Sequence, residues 1–91
     1  MEKMIDYSKY IKDEDDLDFL LDLRTTLLVD QMPVALDCNG YGFQIDPGAG
    51  GAVIWRLGKE IAAYASIDDL FFNFKINGKT FIEKIGDIDY A

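Results

Sequence analysis

The stretch Val34-Ala35-Leu36-Asp37-Cys38-Asn39-Gly40-Tyr41-Gly42-Phe43-Gln44-Ile45 decides the fold. Val34, Leu36 and Cys38 alternate with smaller or polar residues, as do Tyr41, Phe43 and Ile45 after them. This is the two-residue period of strands with one buried face. Between the runs stands Asn39-Gly40. Both residue types accept the positive φ angles of a type I′ turn, so the stretch reads as a β-hairpin. A second hairpin is expected from Ala52 to Arg56 and Glu60 to Tyr64, joined by Leu57-Gly58-Lys59, which gives about four short antiparallel strands in a meander. The connection between the hairpins, Pro47-Gly48-Ala49-Gly50-Gly51, is expected to be the most flexible point of the chain.

Upstream the period changes. Leu17, Leu20, Leu21, Leu27 and Leu28 share one helical face, with Leu23 at its flank, and predict an amphipathic N-terminal helix from about Asp16 to Val29. Met32-Pro33 ends it, because proline pushes its predecessor out of helical geometry. Residues before it read as an irregular or short helical arm. Arg24 falls within the leucine stripe, where a cation is costly unless paired. The expectation is that it runs along the edge of the groove to a carboxylate; a partner-binding role or an earlier helix end are the alternatives.

Downstream, Ser66 followed by Asp69 resembles a capping box opening a helix toward Phe74. Asn77-Gly78 then separates two further apolar segments. These are read as two short helices around a turn, with Phe81, Ile82 and Ile85 facing the core, and a third hairpin as the alternative. The expected class is α+β: a helix, a small meander sheet, and one or two short C-terminal helices.

Composition bounds the function. The 91 residues carry 17 acids, 9 bases and no histidine, for a formal charge of −8, and 49% are hydrophobic. Six Phe, five Tyr and one Trp are too many for a disordered acidic tail, so a single folded domain over 1–91 is expected. A core of this size gives modest stability, which a homodimer or partner contact would raise. The acidity argues against direct binding of nucleic acid or anionic membrane. No secretory signal or long apolar run is visible, and a cytoplasmic protein is the default.

Catalytic and metal motifs fail on their geometry. Absence of histidine removes an imidazole base, and Ser8 and Ser66 have nothing to activate them. Cys38 reads as a small strand hydrophobe. The glycine loop lacks the Lys-Ser/Thr of a phosphate loop and is followed by a strand. Counted from Asp13 as a calcium loop, position 6 is Asp18 and position 12 is Arg24, where glycine and glutamate are required. Paired acids such as Asp16/Asp18 or Asp87/Asp89 do not converge on one substrate. No enzyme activity, metal or cofactor is therefore expected.

Charge is what remains. Nine acids and four bases fall in residues 1–30, and Asp13, Glu14, Asp15, Asp16, Asp18 and Asp22 follow one another with no base among them. On a helical wheel Asp15, Asp18 and Asp22 lie opposite the leucines. Such a row resembles in spacing the phosphates of a nucleic acid backbone. It would suit a basic protein partner, such as a nuclease or another nucleic-acid-processing enzyme, with Tyr7, Tyr10 and Tyr41 as aromatic anchors if exposed beside it. In size, charge and lack of catalytic residues the chain is similar to the small acidic inhibitors encoded by phages and mobile elements, including nucleic-acid mimics and anti-CRISPR proteins. The resemblance is one of type and rests on no motif. An immunity protein against a basic toxin is a close variant. A structural or regulatory subunit using an apolar surface is the reading from a different class.

Overall fold

Each of the three X-Gly turns closes a hairpin, and these turns organise the molecule. In the computed structural model, which describes residues 5–48 and 51–91, Asn39, Leu57 and Asn77 have φ of 51°, 54° and 53°, and each is followed by a glycine with positive φ. Two successive left-handed residues give the I′ geometry whose twist matches that of paired strands. The first turn joins β1 (Val34–Cys38) to β2 (Tyr41–Gly48), and the second joins β3 (Gly51–Arg56) to β4 (Lys59–Tyr64). Gly48 pairs with Gly51, so β2 and β3 are also adjacent and antiparallel. Ala49 and Gly50, on which the expectation of flexibility centred, lie outside the described residues, as do residues 1–4.

A fifth strand, β7 (Ile88–Tyr90), completes the main sheet in the order β4-β3-β2-β1-β7. The sequence pattern predicts four strands, and the tail is too short to carry a period of its own. Its three residues pair antiparallel with β1, Cys38 opposite Ile88 and Leu36 opposite Tyr90. The Ala91 N–H extends the ladder by donating to the Ala35 carbonyl at 3.0 Å.

One long helix, α1 (Glu14–Leu28), and one short helix, α2 (Ile67–Asn73), supply the α part. Asp13 caps α1 by accepting from the Asp16 N–H at 3.1 Å, and Ser66 caps α2 by accepting from the Asp69 N–H at 3.0 Å. Ahead of α1 the arm is a 3₁₀ turn, Tyr7–Lys9. The expected stripe on α1 is turned: Leu20, Leu23 and Leu27 are its buried residues, while Leu21 and Leu28 are exposed. At 100° per residue this is a rotation of roughly 70° from the predicted centre. Leu23 moves from flank to core, and Arg24 from the centre of the stripe to its edge.

The second predicted C-terminal helix is absent. After α2 the chain forms a two-strand ribbon, β5 (Lys75–Ile76) and β6 (Lys79–Thr80), then turns, and a 3₁₀ segment at Ile85–Asp87. The Phe81 N–H donates to the Phe74 carbonyl at 2.8 Å and the Ile82 N–H to the Phe71 carbonyl at 3.3 Å. Those donors tie the segment back to the end of α2 and are lost to a continuous helical ladder. Phe81, Ile82 and Ile85 still enter the core, as expected.

One face of the sheet carries the core. Leu36, Cys38, Phe43, Ile45, Ile54 and Ile88 pack beneath the helices, around an aromatic cluster in which Phe71 stacks on Phe81 at 5.1 Å and Phe74 meets Phe43 edge-on at 5.4 Å. On the other face Ala35, Gly42, Gln44, Trp55 and Ala63 are exposed. A two-layer arrangement of this kind leaves one side of an antiparallel sheet open to solvent.

Candidate functional site: an acidic helix face and its anchorage

Two settings divide the acids of α1. Asp13, Glu14, Asp15, Asp18 and Asp22 are exposed, whereas Asp16 is half-buried. Among the described residues none of the six takes part in an ion pair. Asp13 is engaged by its cap. Asp22 accepts a 3.1 Å hydrogen bond from the Tyr90 hydroxyl, which anchors the helix to β7, and Phe19 packs edge-on against the Tyr90 ring at 5.0 Å. Asp15, Asp18 and Asp22 follow the 3–4 spacing of a single face, so one carboxylate occurs per roughly 5 Å of axis. Each DNA strand carries one phosphate per about 3.4 Å. The row is thus a sparser and shorter polyanion than nucleic acid, about 10 Å long from Asp15 to Asp22.

Asp16 faces inward toward the C-terminal segment. Desolvation, followed by repulsion from Asp13, Asp15 and Asp87, raises its pKa above the ordinary aspartate value. Its carboxylate oxygen stands 3.2 Å from where a Cβ on Gly86 would sit, so a side chain at residue 86 would press on it.

The two N-terminal tyrosines separate. Tyr10 is 58% exposed and meets Phe72 edge-on at 5.0 Å, so it presents a ring at the surface before α1. Tyr7 is 3% exposed, stacked on Phe72 at 5.6 Å and edge-on to Phe71, and it is removed from any surface a partner would touch. Its hydroxyl donates to Asp68, the second residue of α2. Burial of an aromatic with a phenol at one end is favourable only if the hydroxyl finds an acceptor, and Asp68 is that acceptor. Tyr41 is half-buried on β2, under the guanidinium of Arg56 at 4.2 Å.

Asp68 also receives Arg24. The Nε donates to Oδ1 at 2.8 Å and the Nη2 to Oδ2 at 3.0 Å, a fork-to-fork pair with both side chains about a quarter exposed. Arg24 is therefore paired with a carboxylate at the groove edge, as the sequence reading expected. The hydrogen bond from Arg24, aided by that from Tyr7, holds the Asp68 carboxyl below the ordinary value despite the opposing effect of burial. The Tyr7 hydroxyl is pushed up, first by burial and then by Asp68. This three-residue knot ties the N-terminal arm and α1 to α2, and fixes how α1 presents its acids.

Comparison with protein-family models, curated proteins and solved structures yields no match. The site stands on its own geometry. Among the described residues no group of three or more His, Cys, Asp or Glu has the arrangement of a metal site. None of the described helices is long and apolar enough to cross a membrane. Cys38 is 1% exposed, and burial raises its thiol pKa, both of which lower its reactivity.

Sequence reasoning did not find Asp68, Tyr90 or Arg56. Asp68 carried a signal, as an acid in the first turn of α2, but its partner lies 44 residues away. Tyr90 had no legible context in a three-residue tail. Arg56 ends an apolar strand pattern, which carries no signal of a binding role.

Proposed function

We propose that this is a non-enzymatic binding protein whose α1 acids engage a basic protein surface, with a nucleic-acid-processing enzyme as the partner class. The carrying observation is that five exposed carboxylates run from the cap residue Asp13 to Asp22 of α1, none of them in an ion pair among the described residues. A solvated helix ordinarily intersperses both signs, which adds small favourable i,i+4 terms. Here Asp18 and Asp22 are four apart and of like sign, an arrangement that costs isolated stability and favours a cationic partner. Tyr10 adds an exposed aromatic just ahead of α1, against Phe72. Over about 10 Å the face spans the rise of about three nucleotides, enough to block part of a basic channel. Inhibition of a nuclease, in the manner of phage and mobile-element inhibitors or of an immunity protein, is the activity this reading implies.

The test is competition with DNA. The protein is titrated against a panel of nucleases with basic channels while DNA cleavage is measured at about 50 and 300 mM salt. Inhibition of a panel member should weaken at high salt, and the triple variant Asp15→Asn, Asp18→Asn, Asp22→Asn should lose at least about tenfold in potency. Potency unchanged by the triple substitution removes the acidic face from the mechanism.

A second reading has its own observation. Leu21, Leu28, Val29 and Met32 are exposed on and just after the C-terminal half of α1. An apolar surface of that kind suits a structural or regulatory subunit. That reading implies association insensitive to salt and weakened by Leu28→Lys.

A further inference from the structure

The tip of the β3–β4 hairpin differs in character from the rest of the molecule. A concavity of about 540 Å³ opens there, lined by Tyr41, Arg56, Leu57, Lys59, Ile61 and Phe74. In a chain of net charge −8 its lining holds two bases and no acid. Neither Arg56 nor Lys59 takes part in an ion pair among the described residues, although acids outnumber bases almost two to one.

Arg56 is held yet chemically unused. Its guanidinium lies 4.2 Å from the centre of the Tyr41 ring, and its Nε is buried with no hydrogen-bond acceptor among the described residues. A buried donor without a partner is costly, and native structures contain few.

Leu57 adds an independent observation. The equivalent turn position is asparagine in the other two hairpins, Asn39 and Asn77, a residue that tolerates positive φ. At this tip it is leucine, at φ 54° and 84% exposed. A leucine strained in the left-handed region and pointed at water serves neither the turn nor the core. Backbone strain of this kind gathers at binding sites. Leu57 forms an apolar lip of the concavity, with Ile61 and Phe74 as further walls.

We propose that this concavity binds a small organic monocarboxylate with an apolar or aromatic body. The carboxylate sits on the terminal guanidinium nitrogens of Arg56 with Lys59 beside it, and the body lies against Tyr41, Phe74, Ile61 and Leu57. The volume falls within the range of small-molecule sites, and a mostly apolar lining with a few convergent polar groups is their usual composition. Arg56, preheld over the Tyr41 ring, loses less rotamer freedom on binding than a free arginine does.

The experiment is a ¹H–¹⁵N NMR titration of the whole chain with 3-phenylpropionate, and in parallel with 3-phenylpropionamide, its uncharged counterpart. A ligand of about eleven heavy atoms should saturate at low-millimolar concentration or below. The expected result is saturable shifts for the carboxylate confined to residues around 41, 56–61 and 74, with the amide at least about tenfold weaker. Arg56→Gln should weaken the carboxylate by a similar factor. Because that change also removes the stacking on Tyr41, Lys59→Gln, at an exposed residue, serves as a second variant and should weaken the carboxylate severalfold with the thermal midpoint unchanged. Equal binding of amide and carboxylate, affinity of both variants within twofold of the parent, or no saturable shift by about 10 mM would overturn the proposal.

Discussion

Arg24 on α1 and Asp68 on α2 form a two-point ion pair, at 2.8 and 3.0 Å, and the same carboxylate accepts the hydroxyl of the buried Tyr7. Three segments distant in sequence thus meet on one side chain. Removing Asp68 leaves a half-buried guanidinium and a buried phenol without acceptors, so Asp68→Ala should cost about 2–3 kcal/mol by urea denaturation. Tyr7→Phe keeps the ring contacts with Phe71 and Phe72 and should cost only about 1 kcal/mol. A double-mutant cycle over Arg24→Met and Asp68→Ala should give a coupling above about 1 kcal/mol; additivity of the two would mean that the pair contributes nothing.

The pair also sets an acid limb of stability. The folded-state pKa of Asp68 is depressed, chiefly by Arg24, from an ordinary value of 3.8. Its contribution is therefore complete above about pH 4 and disappears as pH falls through the lower folded value. Asp68→Asn should lower the urea midpoint strongly at pH 6 and progressively less from pH 4 toward pH 2. A deficit that stays constant over that range would contradict the assignment.

Asp16 should behave in the opposite sense. Its folded-state pKa is raised, so its ionised form is disfavoured in the folded protein and stability is lost as pH rises through that value. Asp16→Asn is expected to raise the thermal midpoint at pH 7 and to leave it unchanged at pH 2.5, where both side chains are neutral. Differential scanning calorimetry at the two pH values checks this directly.

The turned stripe of α1 gives a further contrast. Leu23 is fully buried and Leu28 is 41% exposed. Leu23→Ala should cost about 2–5 kcal/mol and Leu28→Ala well under about 1 kcal/mol. The predicted stripe, which placed Leu28 inside and Leu23 at the flank, would give the reverse order.

Leu57 links stability to the proposed carboxylate site. Leu57→Asn installs the residue that the other two turns use and should stabilise the hairpin by about 0.5–1 kcal/mol. It should weaken 3-phenylpropionate at the same time. A variant less stable than the parent would show that the leucine relieves no strain by leaving.

Local signals were legible and distant ones were not. Asn39-Gly40 named its turn because a two-residue I′ loop needs left-handed backbone at both positions, and Ser66 named the start of α2 because its hydroxyl acts within three residues. The side of α1 that faces inward depends on where the sheet and α2 stand, which the leucine spacing does not encode. Leu17, Leu20, Leu21, Leu27 and Leu28 were compatible with a stripe centred on Arg24; packing against the sheet, α2 and the 3₁₀ segment selected the one centred near Leu27. Segment 79–85 carried a helical apolar period, yet its first donors were taken by carbonyls of α2. In the candidate site the run of acids was plain from residue types alone. Burial of Tyr7 was not, because its acceptor is 61 residues away.

The strand order β4-β3-β2-β1-β7 implies a sequence of events. Four strands are joined by short connections and are able to zip from their turns, whereas β7 must reach β1 across about fifty residues, at a larger cost in loop closure. The sheet therefore assembles from the hairpins and is finished late, by a three-residue strand that also carries Tyr90, the anchor of Asp22. Until that strand docks, the outer edge of β1 is an open ladder, and α1 lacks one of its tethers. In a slow or destabilised folding reaction, the edge of β1 is the place where one copy of the chain would capture another.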